Sequence, residues 1–338
     1  MEVNRLKNNF SNNEKPVLLI IGAGIVGLTI AREADKRNIF GKIIIIDKEK
    51  TAGYHATTRN SGVIHSGFYY TPESNKAKFC AEGNKLMREY CIKKSIQNNK
   101  CGKVVISKNQ KEDEVINELG RRAKINNSKV EILYKEELKN YEPSAITNNV
   151  FLWSPNTWSA SPKQVLSSLL EELKIKKVQI KLNAKIKNSE NDHVILEGGE
   201  KIKFNVLVNA AGGYALKISE LFGLKSEYKT LPFKGLYLKS RKKITKFKRH
   251  IYPVPDINQP FLGIHTTITS DNYLKLGPTA IPVLSPENYS FYIEQLKKHK
   301  NKEMSNYFIK AIEWVIGFDQ QRGFYDDEDY DYNDEDEY

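Results

Sequence analysis

Cysteine is scarce in this 338-residue chain: Cys80, Cys91 and Cys101 are all it has, and no two form a C-x-x-C pair. An odd, sparse set excludes a disulfide framework and a structural zinc centre, so no metal is expected, and it fits a reducing compartment. Long apolar runs are missing too. No window reaches about 18 consecutive apolar residues, which rules out a membrane-spanning helix. The N-terminal MEVNRLKNNFSNNEKP has neither the apolar stretch nor the small-residue cleavage site of a signal peptide, so the expected location is cytoplasmic. There is no internal repeat. With 40% hydrophobic and 10% aromatic residues, what remains is a soluble globular chain rather than a disordered one. At roughly 100–200 residues per domain its length suits two domains, or one large α/β body with an insertion.

Charge is unevenly spread. From Asp326 to Tyr338 nine residues are acidic and none is basic, so the rest of the chain lies nine charges above the overall +12. Such a body attracts anions. The plainer reading is a lysine-rich genome bias with solvated lysines, supported by the rich use of Lys, Asn and Ile. No nucleic-acid partner is expected. The run Lys239–Arg249 reads as a solvated hairpin, with polyanion binding as the alternative. The segment YDDEDYDYNDEDEY reads as a disordered tail.

Val17–Ile21 is a short apolar run, followed by a glycine turn, a helical pattern from Ile25 to about Lys36, and a buried strand at Lys42–Asp47. That is a βαβ unit. Residues 51–70 form a long Gly-, Ser-, Thr- and Asn-rich loop of functional character. Helices are expected at Lys76–Lys94, Glu112–Asn126, Lys135–Asn140, Pro162–Leu173, Asn288–Lys298 and Lys302–Ile316. Strands are expected at Lys103–Ser107, Val178–Lys187, His193–Glu197, Phe204–Asn209, Gly235–Lys239, Arg249–Val254, Pro260–Thr267 and Tyr273–Gly277.

Gly22-Ala23-Gly24-Ile25-Val26-Gly27 is a G-x-G-x-x-G pattern, weak alone. Here it follows an apolar strand, opens a helix, and precedes an acid, Asp47, by twenty residues at the end of the second strand. That context is what a dinucleotide fingerprint requires. Gly22 allows the tight turn, Gly24 lets a pyrophosphate approach the backbone at the helix N-terminus, and Gly27 allows close helix–strand packing. Asp47 suits a ribose. The fingerprint does not separate FAD from NAD.

The loop HATTRNSGVIHSGFYY (55–70) with its continuation KAKFCAEGNKLMREYC (76–91) resembles the FAD-dependent L-2-hydroxyglutarate oxidase/dehydrogenase family, within the D-amino-acid-oxidase-like flavoproteins. SPNTWSASPKQV, VLVNAAGGYALKISELFGL, LPFKGLYL, IYPVPDINQPFLGIHTTI and LKLGPTA agree in order, so the resemblance spans about residues 16–280. It implies an α/β chain: a Rossmann-like FAD-binding domain at 16–80 and 150–224, a mixed-sheet α+β substrate domain at 81–149 and 225–316, and the tail at 317–338. It implies that Gly22, Ala23, Gly24, Ile25 and Gly27 hold the FAD pyrophosphate and Asp47 the adenosine ribose. Ile186 would offer a backbone contact to the adenine, and Ala211 and Gly212 would lie against the cofactor. Arg59, Asn60, Ser61 and Gly62 would run along the flavin ring. His65 would sit on its substrate side, and Lys234, Tyr252 and His265 would roof it. His65 and His265 are the candidate bases, and Arg59, Lys234 and Tyr252 the candidate substrate ligands.

The chain departs from the family pattern at Lys234, where Phe-Arg-Gly is usual; lysine keeps the charge and loses the bidentate fork. Trp158 stands where a glycine is usual. Relatives continue well beyond the point where this chain turns acidic, and the segment they carry there has a G-x-R motif for the substrate carboxylate. Either a second chain supplying that segment or a truncated, inactive copy is then expected. The leading function is oxidation of a 2-hydroxy acid, L-2-hydroxyglutarate first, to the 2-oxo acid; the alternative is an amino-acid or amine oxidase of the same flavoprotein group. Bland readings attach to the rest: His193 and His250 as surface residues, Cys80 and Cys91 as core filling, Tyr69 and Tyr70 as either packing or site.

Overall fold

The computed structural model describes residues 15–176, 178–255, 263–283 and 285–289. Four strands form a parallel sheet in the order Val206–Asn209, Val17–Ile21, Lys42–Ile46, Val178–Lys181. The sequences VLLII and KIIII are near-continuous runs because both faces of this sheet are covered. Leu18, Ile20, Ile43 and Ile45 pack against the helices Ile25–Arg37 and Pro162–Lys174 through Leu28, Ala31, Ala34, Leu166 and Leu173. The alternate residues Leu19, Ile21, Ile44 and Ile46 pack under an antiparallel meander, Ile186–Glu190, His193–Leu196 and Lys201–Lys203, through Val194, Leu196 and Ile202. One helical layer and one β layer thus sandwich a parallel sheet, an α/β Rossmann-like arrangement.

The chain leaves this sheet at Ile46 and returns at Val178, and the intervening stretch gives three strands to a second sheet that four strands after Asn209 complete. Its seven strands run Leu238–Lys239, Leu274–Gly277, His265–Ile268, His250–Pro253, Lys103–Ile106, Val150–Ser154, Glu131–Tyr134. The pair His250–Pro253 and Lys103–Ile106 is parallel and the others are antiparallel. Helix Gln110–Ile125 covers one face. Asn109 caps it by accepting the Glu112 N–H at 3.0 Å, and Glu112 and Asp113 lie in its first turn. Its Ile116, Leu119 and Ala123 pack with Val105, Leu152, Tyr252 and Phe68.

Several expectations are corrected. Val178–Lys187 is not one strand: Asn183 turns left-handed at φ +51°, and the chain passes from the parallel sheet into the meander. Val150–Ser154, assigned from its position to the dinucleotide domain, pairs in the seven-stranded sheet instead. His250 is fully buried, not a surface residue, because its strand lies mid-sheet. Residues 240–249 form bends rather than a hairpin, their N–H groups at Ser240 and Ile244 bonding Leu274 and Asn272 carbonyls. Gly235–Lys239 divides, Phe233–Lys234 pairing with Ile281–Pro282 and Leu238–Lys239 joining the large sheet. The strand expected from Pro260 begins at His265, residues 256–262 lying outside the described set. The helices expected at 288–298 and 302–316 and the tail at 317–338 fall outside it, apart from 288–289. No helix among the described residues is long and apolar enough to cross a membrane.

Candidate functional site

The first site is the turn between Ile21 and Ile25. Gly22 sits at φ +110°, and a Cβ there would lie 2.4 Å from the Ala210 carbonyl oxygen. A Cβ on Gly27 would lie 2.0 Å from the Gly22 carbonyl oxygen, so the helix reaches this close to the strand only as glycine. Gly24 differs. A Cβ there would meet only the Thr57 hydroxyl, at 3.1 Å, so the space in front of it is open. Gly24 caps helix Ile25–Arg37 with no side chain of its own, and the first turn carries no acid. The end therefore keeps its positive dipole for an incoming anion. Asp47 holds the turn from beside it: one carboxylate oxygen accepts the Ala23 N–H at 2.7 Å and the other the Glu49 N–H at 2.9 Å. Two of about four lone-pair positions remain for other donors.

The loop 51–62 closes over this turn. Thr57 accepts the Ile25 N–H at 3.0 Å, and Gly53 donates its N–H to Ala23. Asn60 is locked by its own loop: its amide donates to the Ala56 and Thr57 carbonyls and its carbonyl accepts the Gly62 N–H at 2.8 Å. Gly62, at φ +75°, packs its α-carbon face against the Ala160 carbonyl. The Arg59 guanidinium lies 4.2 Å from the ring centres of both Tyr54 and Tyr289. Beside it Lys48 pairs with Glu49 and Glu287, and His55 bonds Glu49 at 3.0 Å. Glu49, His55 and Glu287 come close enough to hold a metal, but the Lys48 ammonium already supplies their cation.

The second site lies on the helix-covered face of the seven-stranded sheet. Register places Lys103 between His250 and Ser154 on the neighbouring strands, with Tyr252 two residues along from His250. The Tyr252 and His265 rings stack at 3.8 Å, and His65 meets the Tyr252 ring edge-on at 6.3 Å. The Lys103 ammonium lies 4.4 Å from the ring centres of Tyr69 and Tyr252 and 4.7 Å from that of Phe68. Lys103 is fully buried, and its Nζ has no hydrogen-bond partner in the structure. The buried oxygens of Tyr69, Tyr252 and Thr267 have none either. Each such group costs about 1–3 kcal/mol when left unmet, and a cluster of four marks a site built for a polar ligand.

Electrostatics follow from that burial. Burial pushes Lys103 down to about 7, with Cys80 acting weakly the other way. Burial, then the Lys103 charge and His265, push His65 down to about 3. Burial pushes His265 down to about 4, partly offset by the Gly263 carbonyl and aided by Lys103. Burial also holds His250 well below the usual histidine range. His250 accepts the Ile268 N–H at Nδ1, so its other nitrogen carries the proton and points at the Cys101 sulfur, 3.2 Å away.

Residues 18–328 match the family model described as FAD-dependent oxidoreductase, DAO. The chain belongs to the DAO family of FAD-dependent oxidoreductases. The match runs to 328, into the segment expected to be a tail. Among curated relatives it is 34% identical over 289 residues to the mitochondrial L-2-hydroxyglutarate dehydrogenase of Homo sapiens, covering 80% of this chain and 62% of that protein. It is 34% identical over 278 residues to L-2-hydroxyglutarate dehydrogenase of Indibacter alkaliphilus, covering 80% and 69%. The chain thus spans about two thirds of the length of these relatives. A solved FAD-bound L-α-glycerophosphate oxidase of Mycoplasma pneumoniae superposes with a TM-score of 0.68 at 20% identity, over 92% of this chain and 82% of that one. That likeness shows the fold. Nothing in these comparisons supports a second chain.

The first site fits the FAD of this family. The open space before Gly24 and the acid-free helix start suit a pyrophosphate, and the spare Asp47 lone pairs suit ribose hydroxyls. Ile186 opens the meander two residues after Ala184, whose N–H bonds the Asp47 carbonyl. Ala211 and the exposed Gly212, φ +55°, follow the fourth parallel strand beside Gly22. His65, Tyr252 and His265 come together. Arg59 stands instead between Tyr54 and Tyr289, and Lys234 on the small ribbon with Ile281. Sequence reasoning missed Lys103. The available signal was a lysine beginning an otherwise apolar strand, K-V-V-I, in the same phase as the core residue Val105.

Proposed function

We propose that the protein oxidises a 2-hydroxy dicarboxylate, L-2-hydroxyglutarate first, to the corresponding 2-oxo acid. The observation that carries this reading is the 31–34% identity, over 80% of the chain, to relatives named for that substrate. Bound FAD supplies the two-electron oxidant for the substrate C2–H. Gly24 and the helix start bind its pyrophosphate, and Asp47 its ribose. The division of labour is a dinucleotide unit drawn from both ends of the 16–224 stretch and a substrate unit centred on the seven-stranded sheet.

His265 receives the hydroxyl proton. Its Nδ1–H donates to the Gly263 carbonyl at 2.8 Å, which leaves Nε2 with the lone pair. Stacking on Tyr252 fixes the ring plane, and burial keeps it unprotonated at neutral pH. His65 sits at the edge of the same tyrosine and shapes the pocket wall. The test is a substrate panel assayed on the FAD-loaded protein. L-2-hydroxyglutarate should exceed lactate, D-2-hydroxyglutarate and glycine by roughly 100-fold or more in kcat/KM. Equal turnover of lactate, or turnover of glycine in preference, contradicts the reading.

A further inference from the structure

Three aromatic rings lie against the Lys103 ammonium and stabilise a cation without bonding it. The rings of Phe68, Tyr69 and Tyr252 offer their faces to the ammonium, but a ring face takes none of its three N–H donors in a full hydrogen bond. The titratable groups that act on it, or on which it acts, come from every element packed against it. They are His65 from the loop, Tyr69 beyond it, Cys80 from helix Asn75–Lys93, and His250, Tyr252 and His265 from the adjoining strands. None of these is a carboxylate. A buried lysine ordinarily brings its counter-ion with it. Among the described residues no carboxylate lies against it, while three hydroxyls in the same cluster, those of Tyr69, Tyr252 and Thr267, are also without hydrogen-bond partners.

We propose that Lys103 is the receptor for one carboxylate of the bound acid, and that it takes up a proton from solvent as that carboxylate arrives. The proposal rests on the reading that the substrate is a carboxylic acid. Free, the burial-lowered lysine is about half neutral at pH 7. A carboxylate against it favours the ammonium, so the site gains one proton, drawn from water or buffer, and the pair becomes neutral overall. Below pH 7 the lysine is already charged, and binding neither takes up protons nor varies with pH through this group. Above pH 7 each binding event must recruit the proton, and affinity falls by up to tenfold per pH unit.

The experiment is calorimetric titration of the FAD-loaded protein with 2-oxoglutarate, which cannot be oxidised at C2, in buffers of different ionisation enthalpy. The wild type should take up about nine-tenths of a proton per ligand at pH 8 and about one-tenth at pH 6. Lys103→Met, of similar length and apolar, should bind roughly 10- to 100-fold more weakly at pH 7 and take up none. A purely structural lysine would change stability and leave proton uptake as it was. Wild-type binding without uptake at pH 8 overturns the proposal and leaves the dicarboxylate reading standing. Uptake that survives in Lys103→Met also overturns it. Lysine-dependent uptake with pyruvate bound as tightly as 2-oxoglutarate keeps Lys103 as receptor and removes the dicarboxylate reading. Failure of the wild type to bind either acid overturns both.

Discussion

A lysine held beneath three aromatic rings destabilises the unliganded fold in a pH-dependent way whose direction is fixed. Its pKa falls from 10.5 in the unfolded chain to about 7 in the folded one, so the fold disfavours the charged form. The penalty is full below pH 7, shrinks as pH rises, and is gone above about 10.5. At 1.36 kcal/mol per pKa unit this amounts to roughly 5 kcal/mol, an upper bound because local relaxation reduces it. Lys103→Met should therefore raise the unfolding free energy of the ligand-free protein, read from urea titration, by about 1–4 kcal/mol at pH 6–7, and do so much less at pH 10. A variant less stable at both pH values would contradict this account of the site. His265 behaves in the opposite sense for catalysis. Neutral above about pH 4, it loses its proton-accepting lone pair only in acid. The acidic limb of kcat/KM should lie near 4, well below the usual histidine range, and His265→Asn should lower kcat by roughly 100-fold or more with little change in FAD content. His65, Tyr252 and His265 were legible through family resemblance, whereas Lys103 was hidden inside a four-residue strand whose partners lie about 50 and 150 positions away.

Among the elements, the strand–turn–helix at 17–37 separates two roles that its glycines share in the sequence. Gly27 faces backbone that cannot yield, since a Cβ would stand 2.0 Å from the Gly22 oxygen. Gly27→Ala should force the helix off the strand and cost about 1–3 kcal/mol of stability even without cofactor. Gly24 faces only the Thr57 hydroxyl, a side chain that can shift, so Gly24→Glu should lose less stability than Gly27→Ala yet purify without flavin, its carboxylate occupying the pyrophosphate position. Thermal melting and flavin absorbance, read on both variants, separate the two. Reversal of this pattern would mean the fingerprint is misassigned. This unit was readable because both strands are long apolar runs and the turn needs glycine by geometry. The two- and three-residue strands at 63–64, 98–99 and 158–160 were not, because they carry no alternation of their own and form only where the fold brings them together. Within Val178–Lys187 the apolar pattern continues across the break, and only the left-handed Asn183 marks it.

At the scale of the whole molecule, the chain leaves a parallel sheet, lays down three strands of a second sheet, returns, and adds the other four strands after Asn209, so it crosses between the two sheets more than once. Gly62 accepts the Ala160 N–H and ties the 51–62 loop to the strand Trp158–Ala160. In the proposed reaction this architecture carries electrons from a 2-hydroxy dicarboxylate to bound flavin. Anaerobic titration of the purified, FAD-loaded protein with L-2-hydroxyglutarate, followed by flavin absorbance, tests it most directly. The oxidised flavin band should bleach with the L-enantiomer and persist with glycine. A flavin that stays oxidised with L-2-hydroxyglutarate and bleaches with glycine would contradict it.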